Sequence, residues 1–372
     1  MPARPPETSA YIEMKEMTLR HRIPAIAVAI AATLLVAACG SSSNNTTTGG
    51  SGGGSSSGGK STVNGAGSTL AAPIYQQWAS TLSGQGVTLN YNPVGSGAGI
   101  TAISQRQVDF GASDAPMTPD QFNGCNGCVQ IPWQASGTAF AYNLPGMPPH
   151  LKITGPVLAN IYLGTVKKWN DPSIKKLNPG VNLPDTDITP IWRSDASGTS
   201  YNVTDYMSNV SPAFKSKIGV GTQVNFPVGV GGRGSSGVSA VLSRTTGGIM
   251  YADVAFSTKN HFSFFSVKNK AGKYELPGSK QILAAMNTVK HVTPDNKISI
   301  VNPPASAKDA YPVSTFTYII IPTKSPNAKA LRSYVFWAMT NGVKKYGTPL
   351  RFVQVPPVVL TACEKALKKI QT

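Results

Sequence analysis

The chain has 372 residues, 41% hydrophobic and 13% charged, with 33 Lys and Arg against 16 Asp and Glu for a formal net charge of +17. That length holds two domains of ordinary size, and the excess of base suits an anionic partner or a basic surface. The lysines are scattered rather than gathered into runs, which argues against nucleic acid as the partner, and few carboxylates and four histidines leave little material for hydrolytic catalysis.

Residues 1–16 carry Glu7, Glu13 and Glu16, unlike a basic leader, so Met1, Met14 and Met17 all stand as translation starts. The following stretch, RHRIPAIAVAIAATLLVAAC, places a basic cluster before an apolar run from Ile23 to Ala38. This sixteen-residue run falls short of the roughly 20 residues needed to span a bilayer, so 1–38 reads as a signal peptide. Its end, Val36-Ala37-Ala38-Cys39, resembles the lipobox of bacterial lipoproteins, which implies lipidation of Cys39 and an anchor on the extracytoplasmic face of a membrane. Residues 39–62 are a Ser/Gly-rich tether. Within it GSSSGGKS (54–61) spells the phosphate-loop pattern, but no apolar strand precedes it and no helix pattern follows, so it reads as linker.

From residue 63 onward, short β-rich runs alternate with helical patterns. Strands are expected at 86–94, 139–145, 188–194 and 315–322, and helices at 98–108, 156–169, 201–210, 326–347 and 360–370. Such alternation indicates an α/β fold with parallel or mixed sheets. Cys125 and Cys128 bracket a two-residue turn and suit a local disulfide, with pairing of one of them to Cys363 as the alternative. No metal-ligand spacing accompanies them, and no cofactor is expected. Cys363, on the C-terminal helix pattern, reads as a small buried apolar residue.

Three stretches place hydroxyl residues and glycine where a helix would begin: NGAGSTLAAPIYQQWAS (64–80), NPVGSGAGITAIS (92–104) and WRSDASGTSYNVTDYMS (192–208). A helix start offers unpaired N–H groups and partial positive charge, which suits an oxyanion. Arg193 adds a guanidinium fork. Asp114, in DFGASDAPMT (109–118), would repel a bare anion but can accept a hydrogen bond from a protonated one. Phosphate near neutral pH keeps a proton and sulfate does not, so an aspartate in the pocket would select phosphate.

With these residues in place, GAGSTLAAPIYQQW, VGSGAGI, DFGASDAPM, IYLGTVKKWNDPSIKKLNPG, RSDASGTSYNVTDY and AYPVSTFTYIII together resemble the PstS family, the phosphate-binding proteins of bacterial high-affinity phosphate ABC importers. The resemblance runs from about residue 64 to the C-terminal helix. It implies a two-lobed periplasmic-binding-protein fold of the type II kind, with inorganic phosphate held in the cleft between lobes and delivered to permease subunits of the importer. The family's contacts fall on Thr69, Leu70 (through its backbone), Ser96 and Asp114 from one lobe, and on Arg193, Ser197, Gly198 and Thr199 from the other, with Asp195 bracing the arginine. Leu70 replaces a frequent aromatic and Ala196 a frequent glycine. Lobe 1 is expected over 63–142 plus 312–372 and lobe 2 over 143–311, with chain crossings near 141–145 and 310–315. The expected function is capture and delivery without catalysis. A phosphate-ester hydrolase and a surface adhesion or signalling protein on the same scaffold are the alternatives.

Overall fold

The computed structural model describes residues 61–372; the signal segment, Cys39 and the tether through residue 60 lie outside the described residues. Ser61 already opens the first strand, Ser61–Gly67, so the last two residues assigned to the tether belong to the folded body.

The backbone of the fold is a ten-stranded mixed sheet. Its main path runs Val87–Asn92, Ser61–Gly67, Phe110–Ser113, Ser314–Pro322, Cys128–Asn143, Gly248–Asp253, Thr189–Arg193 and Val230–Gly232. The first three are mutually parallel, and so are the last three, while the central pair, Ser314–Pro322 and Cys128–Asn143, is antiparallel. Both central strands are buried along nearly their whole length, as the apolar run TFTYIII demands for a strand covered on both faces.

The 16-residue strand Cys128–Asn143 links two hydrophobic cores. Its Ile131 and Trp133 pack in the first, with Trp78, Phe110 and Tyr334, while Phe140 and Tyr142 pack in the second, with Leu158, Trp169 and Phe265. On the return, Tyr311 and Val313 belong to the second core and Phe316 to the first. The chain thus passes between cores at 136–139 and 314–315, the first passage lying a few residues before the sequence placed it. Ile282, Ala285, Met286 and Ile300, within the segment expected to form lobe 2, pack in the first core.

Helix ends differ from the sequence reading for local reasons. The helix expected over 156–169 is Gly155–Tyr162, followed by Gly164 at φ +73°, a left-handed turn that stops it. The one expected over 326–347 is interrupted by a π turn at Ala338–Gly342. There Gly342 lies against the indoles of Trp337 and Trp78, with no room for a side chain.

Candidate functional site

Each hydroxyl-rich stretch does open a helix. The strand Ser61–Gly67 ends at Gly67, whose φ of +141° and tight approach to the Ala112 carbonyl exclude a side chain. Ser68, Thr69 and Leu70 follow, and the helix Ala72–Ser83 starts with Pro73 in its first turn. The helix Ser96–Ser104 begins after Gly95, at φ +100°, whose N–H donates to the Gly67 carbonyl at 2.8 Å and ties the two loops together. The helix Gly198–Val210 is capped by Ser197, and the helix Gly234–Arg244 adds a fourth start that the sequence reading did not single out.

Asp114 follows the strand Phe110–Ser113 and is buried. Its backbone N–H donates to Ser96 Oγ at 3.3 Å, and its carbonyl accepts from Asn202 Nδ2 at 2.7 Å. The Ser68 hydroxyl lies 2.7 Å from both carboxylate oxygens. Burial pushes the carboxyl up to about 6, against the downward pull of the Ser68 hydrogen bond and the Arg193 charge.

Arg193 ends the strand Thr189–Arg193 with its side chain only 2% exposed. Asp195 binds it in a fork, accepting from Nε at 2.7 Å and from a terminal nitrogen, and also accepts the Gly234 N–H at 2.9 Å. Burial would raise the Asp195 carboxyl, but the hydrogen bonds and charge of Arg193 outweigh it and hold the group below the usual carboxylate range. The Arg193 N–H donates to the Tyr251 hydroxyl at 3.1 Å, which is also 2.8 Å from Ser200 Oγ.

The hydroxyls have a common polarity. Ser96 Oγ accepts the Asp114 N–H, Ser197 Oγ the Ser200 N–H at 3.2 Å, and Thr69 Oγ1 the Ser235 N–H at 3.3 Å. Each therefore spends a lone pair on the backbone, which leaves the Ser96 and Ser197 protons to give, while in the Thr69 to Ser235 contact either hydroxyl can donate. Thr199 Oγ1 is buried with no protein partner. Such an arrangement presents donors to an oxyanion, with Asp114 as acceptor.

The two sides are in contact. The Gly97 N–H donates to the Ala196 carbonyl at 2.9 Å, and Thr69 Oγ1 is 2.9 Å from Ser235 Oγ. A Cβ on Gly198 would lie 2.7 Å from the Asp114 and Ala115 backbone, so glycine is what lets this helix start approach the Asp114 loop. Hydrogen bonds and close backbone approaches thus join Thr69 through Ser235 and Gly234 to Asp195 and Arg193, and join Ser96 through Asp114 to Gly198, between Ser197 and Thr199, where the two sides meet. The Leu70 side chain points into the first core, which leaves only its backbone for the cleft. The sequence reading missed Ser68, Asn202, Ser235 and Tyr251.

Cys125 and Cys128 are joined in a disulfide away from these residues, held by Arg106, which donates to the carbonyls of Ile103, Cys125 and Asn126. Cys363 is buried and free, its thiol pushed well up by burial. Among the described residues no group of three His, Cys, Asp or Glu is placed to hold a metal ion, and no helix is long and apolar enough to cross a membrane.

Two cores bridged by sheet strands, with helix starts from both sides meeting at a cleft, define a solute-binding protein of the two-lobed periplasmic type. A family model for the PBP superfamily domain matches residues 45–341. The phosphate-binding protein PstS of Xylella fastidiosa strain Temecula1 is 35% identical over 308 residues, covering 81% of this chain and 84% of that protein. PstS of Pasteurella multocida is 36% identical over 315 residues, covering 83% and 89%. The crystal structure of a phosphate-binding protein from Stenotrophomonas maltophilia aligns with a TM-score of 0.65 at 17% identity, over 82% of this chain and 93% of that one. The chain belongs to the PstS family within that superfamily.

Proposed function

We propose that this chain captures inorganic phosphate in the cleft and hands it to the permease subunits of an ABC importer, without catalysis of its own. The observation that carries the reading is the polarity of the cleft: hydroxyl protons of Thr69, Ser96, Ser197 and Thr199 and the Arg193 guanidinium on one hand, the single acceptor Asp114 on the other. A tetrahedral anion retaining a proton matches both sets, donors to its oxygens and the carboxylate to its hydroxyl. Gly198 and Thr199 add first-turn N–H groups and the positive end of their helix dipole. The relatives from Xylella and Pasteurella carry the name phosphate-binding protein, which agrees with this reading.

In the same reading each core is one lobe: 61–135, 282–300 and 316–372 build lobe 1, and 140–267 with 311–313 build lobe 2, in place of the bounds the sequence suggested. They open and close about the strands that pass between the cores, so phosphate binding and lobe closure are coupled. The signal peptide ends before Cys39, whose acyl chains hold the body to the extracytoplasmic face on the tether. Equilibrium dialysis of residues 61–372 against labelled phosphate tests the binding: one phosphate per chain is expected, lost in an Arg193→Met variant. A wild-type chain that retains no phosphate would overturn the proposal.

A further inference from the structure

Across the cleft from the cap and helix that carry Ser197 to Thr199, a second pair of groups meets. Thr69 and Ser235 are 166 residues apart in sequence, and both are buried. Thr69 Oγ1 lies 2.9 Å from Ser235 Oγ and also accepts the Ser235 N–H at 3.3 Å. A threonine hydroxyl has two lone pairs and one proton. When Ser235 supplies donors from both its N–H and its Oγ–H, the acceptor sites of Thr69 are filled and its one proton is left for the cleft.

The neighbouring residue extends the link. The Gly234 N–H donates to Asp195 Oδ1 at 2.9 Å, and Asp195 holds Arg193. One turn of chain at the start of the helix Gly234–Arg244 therefore contacts both the arginine brace and the threonine of the opposite side. Thr69 and Ser235 also form part of the wall of a cavity of about 550 Å³ that is lined further by Pro73, Gln76, Arg233 and Lys259. Arg233 and Lys259 are both exposed, and neither is in an ion pair among the described residues. Thr69 thus lines this basic mouth while Ser68, the residue before it, holds Asp114.

We propose that Ser235 is a positioning residue for anion binding: it orients the Thr69 hydroxyl as a donor to the ligand and latches the cleft shut on the side of the basic mouth. The inference rests on the phosphate reading and adds to it a residue that governs release rather than capture. Losing one hydrogen bond made in the closed state speeds reopening, while the encounter of phosphate with the open protein is unaffected.

The test is stopped-flow measurement of phosphate association and release for the wild type, Ser235→Ala, Thr69→Val, the double variant, and Ser236→Ala as a control on the exposed neighbour. Ser235→Ala is expected to raise the release rate roughly five- to tenfold with the association rate unchanged. The double variant should release no faster than Thr69→Val alone, because both changes remove the same contact. Ser236→Ala should behave as wild type. Release from Ser235→Ala at the wild-type rate, or effects of the two single changes that multiply in the double variant, would overturn the latch while leaving phosphate binding standing. Absence of phosphate binding by the wild type would remove the functional reading and the latch together.

Discussion

The Ser68 hydroxyl sits 2.7 Å from each carboxylate oxygen of Asp114, so the one buried acid of the cleft is held by a neutral donor and not by an ion pair. Arg193, whose charge also acts on Asp114, is already forked onto Asp195. Asp114 thereby remains an acceptor that an incoming acid proton can use, and its carboxyl stands at about 6 because burial outweighs the Ser68 hydrogen bond.

The pH dependence of selectivity follows from that value. Above about pH 6 Asp114 is ionised and accepts a hydrogen bond from the hydroxyl of phosphate, and it faces sulfate with a repelling charge. Below pH 6 it carries its own proton and offers a donor that sulfate can accept. Competition of sulfate against phosphate is expected to strengthen as pH falls from 8 to 5, measured by displacement titration; a flat preference across that range contradicts the role given to Asp114.

Stability should vary with pH through a different acid. Asp253, at the end of the strand Gly248–Asp253, is fully buried, accepts from Ser136 Oγ at 2.9 Å and caps the next helix by accepting the Ala255 N–H at 2.8 Å. Burial raises its carboxyl to about 8 despite these bonds. The folded state therefore holds a proton that the unfolded chain, titrating near 4, has released, and stability falls as pH rises from about 4 through 8. Asp253→Asn keeps a capping side chain and removes the titration. It is expected to raise the melting temperature at pH 8 by roughly 3–6 °C and to flatten the pH profile in thermal unfolding.

Gly198 gives a steric test of closure. A methyl group there meets the Asp114 and Ala115 backbone at 2.7 Å, and backbone atoms cannot swing aside as a flexible side chain does. Gly198→Ala is expected to weaken phosphate binding at least about tenfold, with the melting temperature of the ligand-free protein little changed. Wild-type affinity in this variant would show that the helix start and the Asp114 loop need not meet.

Anchoring is testable at Cys39. Cys39→Ser is expected to shift the protein almost wholly from the membrane fraction to the soluble fraction after processing, because a sixteen-residue apolar run does not hold a chain as a membrane span does. Retention in the membrane fraction would contradict lipid attachment.

Much of this architecture was legible in the sequence because its signals are local. Alternating strand and helix patterns, Pro73 in a first turn and hydroxyls at three helix starts each announce themselves within a few residues. What escaped depends on distant partners. Ser68 matters because of Asp114, 46 residues on, and Ser235 because of Thr69, 166 residues back, and a serine among glycines in GRGSSG looks like any turn. Asn202 reads as a helix residue until its amide is seen on the Asp114 carbonyl. The π turn at Ala338–Gly342 likewise comes from tertiary packing, since Gly342 yields to the indoles of Trp78 and Trp337, and no local signal marks it.

Calorimetric titration of residues 61–372, stripped of ligand, with phosphate and then sulfate at pH 8, for the wild type and Asp114→Asn, tests the central claim most directly. One-to-one phosphate binding by the wild type with no sulfate response is expected, and sulfate binding is expected to emerge in Asp114→Asn, whose amide offers a donor where the carboxylate repelled. Sulfate binding by the wild type at strength comparable to phosphate, or an Asp114→Asn variant that still rejects sulfate as the wild type does, would contradict selection of phosphate by its proton.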